Sequence, residues 1–165
     1  MRRPGGARHP SHHSRRGFSP MKDLHSKLSI INAFGPAVLA ADNTPAAIDL
    51  QGFNAAEIEL AIGVGGITFD ATNKIEVKVT HSDDNASYVP VTDADMLGIS
   101  GISGGIIKSL VAAHAAVETC RYGYKGGKRY LKILADFSGT HGTGTPLYAS
   151  VIKSRGYNNP QPNAA

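Results

Sequence analysis

The chain has 165 residues and a formal charge of +4 at neutral pH. That length suits one domain with a tail and buries enough surface to fold without disulfides or metal. An apolar fraction of 41% excludes wholesale disorder, and no apolar run is long enough for a membrane-spanning helix. Glycine (19) and proline (9) together exceed average usage, which points to frequent turns and short strands.

The charge is unevenly placed. Residues 1–20 hold Arg2, Arg3, Arg8, Arg15 and Arg16, with His9, His12 and His13, and no acid. The remaining 145 residues carry 12 Lys/Arg against 13 Asp/Glu, so the body is close to neutral. Residues 1–22 lack the apolar stretch of a secretory signal and the composition of a core, and they read as a flexible or extended basic arm. Three readings stay open for this arm. It binds a polyanion through arginine forks, it orders on a partner, or it is an upstream extension of a chain that starts at Met21.

The body, residues 23–157, begins with short apolar segments and becomes strongly periodic at residues 57–64. There Ile58, Leu60, Ile62 and Val64 face one way and Glu57 and Glu59 the other. Residues 74–80 repeat the pattern, with Ile75, Val77 and Val79 against Lys74, Glu76, Lys78 and Thr80. Each is a strand with one buried and one wet face, the mark of antiparallel sheets. Gly63-Val64-Gly65-Gly66 and Asp70-Ala71-Thr72-Asn73 supply turn residues between them. Residues 46–50, 88–91 and 147–153 read as shorter strands. Residues 106–118 fit a helix of about three turns by propensity, or a strand at 106–111 followed by a small-residue connection. The strands on both sides favour the second reading. Residues 119–124 and 128–137 form a second pair around Lys125-Gly126-Gly127, a short hairpin connection. Residues 158–165 are a polar tail. The sum predicts an all-β fold: a single antiparallel β-sandwich, jelly-roll-like.

Several motifs resemble chemistry. Gly101-Ile102-Ser103-Gly104-Gly105 fits G-x-S-x-G, with Asp136 and His141 following in hydrolase order. That motif works between a buried parallel strand and a helix, and the polar segment at 93–98 is not such a strand, so a glycine-rich loop is expected. Residues 139–145 lack the Gly-Lys-Ser/Thr ending of a phosphate loop and read as a wide hairpin loop. His81, Asp83 and Asp84 read as a strand end and an Asx turn in preference to a metal site. Cys120 alone permits no internal disulfide, in keeping with a reducing compartment, and reads as a half-buried strand residue. Tyr122, Tyr124 and Tyr130, interleaved with Arg121, Lys125, Lys128 and Arg129, could stack bases. The near-neutral body argues for packing or interface roles instead. No catalytic, metal or cofactor residues are assigned.

Three blocks together carry a family resemblance. The first is Ala47-Ile48-Asp49-Leu50-Gln51-Gly52-Phe53 running into the strand at 57–64. The second is the strand at 75–80 with His81-Ser82-Asp83-Asp84 and Tyr88-Val89-Pro90-Val91. The third is Tyr122-Gly123-Tyr124-Lys125-Gly126-Gly127-Lys128-Arg129-Tyr130-Leu131, then Phe137-Ser138-Gly139-Thr140-His141 and Gly144-Thr145-Pro146. Over residues 30–157 the chain resembles small virion structural proteins of tailed bacteriophages and prophages, similar to capsid decoration or cement proteins. The resemblance implies a non-enzymatic β-sandwich on the capsid surface, made in the host cytoplasm. Its implied partners are the major capsid protein lattice and further copies of itself, as dimer or trimer, with no membrane and no sequence-specific nucleic acid. Candidate contacts are Arg2, Arg3, Arg15, Arg16, Tyr122, Tyr124, Arg129 and Tyr130. A head–tail joining or tail component, a carbohydrate-binding adhesion module and an esterase are the alternatives.

Overall fold

The computed structural model describes Met1 and residues 22–161. The arm contacts expected at Arg2, Arg3, Arg15 and Arg16 lie outside the described residues. After a single 3₁₀ turn, His25–Lys27, come β1 (Leu28–Leu39), β2 (Ile48–Asp49), β3 (Phe53–Ile62), β4 (Lys74–Ser82) and β5 (Val89–Pro90). They are followed by β6 (Met96–Leu97), β7 (Ile106–Leu110), β8 (Glu118–Tyr124), β9 (Tyr130–Ser138) and β10 (Thr145–Gly156).

All pairings are antiparallel and form two sheets. The first runs β1-β10-β3-β8-β6, and the second β2-β9-β4-β5 with β7 also paired to β4. With the two-residue β5 and β6 set aside, the strand order is the double Greek-key path of a jelly roll. The all-β sandwich expected from the turn-rich composition is therefore the fold.

The core lies between the sheets. Ile58, Leu60 and Ile62 of β3 stand opposite Val151, Ala149 and Leu147 of β10. Facing them, Val77 and Val79 of β4 pair with Ala135 and Ile133 of β9. Period-two alternation decides this arrangement, because every second side chain of a strand shares one face. The wet face of the second sheet carries Lys74, Glu76, Lys78 and Asp136, joined in a row of ion pairs that includes Lys74–Glu76 at 2.6 Å.

Three local expectations need correction. The segments 119–124 and 128–137 do not form a hairpin, since β8 belongs to the first sheet and β9 to the second. Residues 125–127 climb from one sheet to the other, with Lys125 N–H donating to Asp95 C=O at 2.8 Å. Three extended residues span about 10 Å, the separation of packed sheets, so glycine here marks a reversal without saying into which layer. Residues 139–144 likewise connect β9 to β10 across the sandwich and are not a hairpin loop. The turns between β3 and β4 also join different sheets. Finally, β3 ends at Ile62, which leaves Val64 outside the strand and half exposed.

The strand β1 was not legible as one. Ile30-Ile31 breaks the alternation, and register shifts at residues 32–37 coincide with Gly35-Pro36. At Gly35 the backbone has φ of +72°, and an added Cβ would lie 2.2 Å from Leu147 C=O, so only glycine fits. The alternative at residues 106–118 resolves as strand plus loop: β7 is followed by an irregular segment.

Candidate functional site

The Tyr/Arg cluster falls at the end of the sandwich where β8 and β10 finish and β1, β3 and β9 begin. The C-terminal segment is tied down there by Tyr157 N–H to Gly52 C=O at 2.9 Å and Gln161 N–H to Ser26 C=O at 2.8 Å. Ser26 and Gln161 thus lie together at this end, beside a cleft of about 470 Å³ bordered by Phe53, Tyr124, Lys128, Arg129 and Tyr157.

The structure divides the predicted cluster. Tyr122 and Tyr124 point inward from β8, opposite Ile58 and Ala56, and are each only 8% exposed. Their expected role as partner contacts is corrected: they are core residues, because the alternation that puts Ile58 inside also turns the tyrosines inside. Tyr124 hydroxyl accepts from Lys128 N–H at 3.0 Å and lies 2.9 Å from His81 Nδ1. Tyr124 hydroxyl and His81 Nδ1 thus share a buried hydrogen bond whose donor is set by the imidazole tautomer, and His81 lies in the core on β4. Burial pushes the Tyr124 phenol up to about 12 and holds His81 below its ordinary value.

This dyad joins the two sheets at their common end. Tyr124→Phe strands His81 Nδ1 and Lys128 N–H, and the expected loss is about 1–3 kcal/mol in denaturant unfolding. Neutral His81 also sets a pH dependence. Its folded pKa lies below the unfolded value, so the unfolded chain takes up the proton first and stability declines as pH falls below about 6.5. A His81→Gln variant is expected to lose that part of the slope while retaining any contributed by carboxylates.

Arg129 and Tyr130 remain accessible. Arg129 Nε donates to Asp49 Oδ1 at 2.9 Å and Nη2 to Asp49 Oδ2 at 2.7 Å, a bidentate fork. Its guanidinium lies 4.8 Å from the Tyr130 ring centre. Those donors hold the Asp49 carboxyl below its usual range. Lys128 pairs with Asp83 at 2.7 Å. Lys153, buried on β10, donates to Asp49 C=O at 3.1 Å and lies over the Phe53 ring, and desolvation lowers its pKa. The cations bordering the cleft are therefore largely paired with acids of the same end, leaving Tyr157 as its exposed aromatic.

The opposite end has a different chemistry. There the connections after β1, β3, β7 and β9 meet, with Gly63 N–H donating to Pro146 C=O and Gly65 N–H to His114 C=O, both at 2.8 Å. Val38, Val64, Val111 and Val117 are 50–72% exposed around it. Alternation did not mark these as a surface group, because Val38 lies in the irregular half of β1 and Val64, Val111 and Val117 lie in connections beyond strand ends.

The motif residues are occupied in the scaffold. Asp136 pairs with Lys78, and His141 Nε2 contacts Ser138 C=O at 2.8 Å; no described hydrogen bond links either to Ser103. Asp93 carboxylate accepts from Gly101 N–H at 2.9 Å and Ile102 N–H at 2.7 Å, which fixes the G-x-S-x-G segment as a capped loop. Asp84 accepts from Ser87 N–H at 2.8 Å and Ala86 N–H at 2.9 Å, the predicted Asx turn, and these donors hold its carboxyl far below the usual range. In the loop at 139–145, Thr140 N–H is taken by Asn73 and Thr145 hydroxyl accepts from Gly66 N–H. Cys120 is half-buried on β8 opposite Leu60, as expected. Comparison with protein-family models, with curated proteins and with solved structures gives no match.

Proposed function

We propose that the chain is a non-enzymatic structural protein of a phage virion, a decoration or cement protein that bridges neighbouring major capsid subunits on the outside of the head. The observation that carries this reading is the two-ended sandwich. The sandwich presents exposed valines at one end and, at the other, the segments around Ser26 and Gln161 with paired charges and an exposed tyrosine. A bridging protein needs two separated contact regions on a body that does not deform, and an extended terminus that can order on a partner widens the contact.

The sequence resemblance supports the same reading, because its three blocks map onto β2–β3, β4–β5 and β8–β9 of the sandwich. Of the G-x-S-x-G set, Asp136 is paired with Lys78 and His141 Nε2 with Ser138 C=O, while Ser103 stands exposed and apart from both. Quantifying the chain in purified particles tests the proposal. Hundreds of copies are expected for a lattice role, whereas about a dozen or fewer would assign it to a head–tail joint or spike.

A further inference from the structure

Residues 28–34, Leu-Ser-Ile-Ile-Asn-Ala-Phe, contain no charge and no proline, and they begin the edge strand of the first sheet. Among the described residues only β10 pairs with them. An apolar, uncharged strand edge invites another strand, and soluble proteins normally shield such edges with charge, proline, bulges or a covering segment.

The rest of this fold is shielded in that way. On the free side of β9, β2 covers Tyr130 and Leu131. Beyond it Asn43 donates to Ile133 C=O and accepts from Ala135 N–H, while Asp42 accepts from Phe137 N–H. The edge strand β7 carries Lys108, and β8 carries Glu118 and Arg121. The second half of β1 is interrupted by its register shifts and Pro36. Residues 28–32 are different: they pair one for one with residues 154–150 and carry no such device. Ile30 is 46% exposed on the outer face, beside half-buried Ile152.

We propose that residues 28–32 are a self-association edge, on which β1 of a second copy of this chain pairs antiparallel about a two-fold axis at Ile30. The segment is self-complementary in that register. Ile30 opposes Ile30 of the second copy, Leu28 opposes Asn32, and Ser29 opposes Ile31, with no like charges in contact. A two-fold interface demands this symmetry, and it would cover the exposed isoleucine with its own twin. The pairing continues the first sheet of one copy into that of the other. It is independent of the virion role, since a monomer could still bind a shell and a dimer could fail to.

The test is the solution mass of the purified full chain across a concentration series. A dimer is expected, and Ile30→Lys should weaken it by about tenfold or more by placing two like charges face to face. Ile30 is half exposed, so the variant should keep the wild-type circular dichroism spectrum. In a Cys120→Ser background, Ile30→Cys should form a covalent dimer under oxidising conditions, because directly opposed Cβ atoms lie about 4.5–5.5 Å apart. Val64→Cys, at the far end, should not. A monomer at every concentration, or an oligomer whose mass Ile30→Lys leaves unchanged, overturns the proposal. A monomer that dimerises only after residues 1–21 are removed also overturns it, and gives the edge to the chain's own arm.

Discussion

Gly105→Ala is expected to destabilise the protein by about 2–4 kcal/mol, while Ser103→Ala two residues away changes stability by less than about 0.5 kcal/mol. Gly105 has φ of +78°, and a Cβ there would lie 2.4 Å from Val79 C=O. Its own carbonyl accepts from Val79 N–H at 2.8 Å, so the loop cannot move away without breaking a bond to a core strand. Ser103 is exposed and caps the turn through its backbone carbonyl, which any residue supplies. The pattern of G-x-S-x-G thus reflects backbone geometry at both of its outer glycines, since Gly101 also has positive φ. Equilibrium denaturation of the two variants measures the contrast. A comparable loss in Ser103→Ala would show that the serine hydroxyl has a structural or chemical role absent from this account.

Leu60→Ala should cost about 2–5 kcal/mol, among the largest effects of any single truncation here. Leu60 is fully buried on β3, the central strand of the first sheet, between Cys120 of β8 and Ala149 of β10. Its flanking partners are small, and strands hydrogen-bonded on both sides cannot close over the space left behind. Thermal unfolding should fall by several degrees per kcal/mol at this size. Thr119→Ala, on the wet face of the neighbouring strand, should shift it little. Equal effects would mean that the inside and outside of the first sheet are assigned the wrong way round.

The strands with strict alternation were legible because one face of each is buried and the other wet, and Glu57-Ile58-Glu59-Leu60 records that directly. The partition of strands between two sheets was not. A glycine turn such as Lys125-Gly126-Gly127 returns beside its own strand or crosses to the facing layer with the same residues, and distant packing decides which. For Tyr122 and Tyr124 the sequence leaves packing and interface roles open, and their expected place among the partner contacts is overturned by their burial. Their parity with Cys120 on β8 contained the correct answer. The capping of β9 by Asn43 could not be read, since the donors and acceptors involved are 90 and 92 residues apart in the chain. At the candidate contacts, accessible Arg129 and Tyr130 survive as surface groups, and the exposed valines at the far end emerge only once the loops are folded together.

The most direct measurement of the proposed lattice-bridging role is the disruption temperature of capsid shells titrated with the purified full chain. The shells are assembled from the tailed-phage major capsid protein that the proposal makes its partner, and are expanded before titration. Binding only to the assembled lattice stabilises it by mass action. The account predicts saturable binding at a fixed ratio to capsid subunits and a disruption temperature that rises with occupancy. Shells that bind none of the protein, or whose disruption temperature is unchanged at saturation, would contradict it.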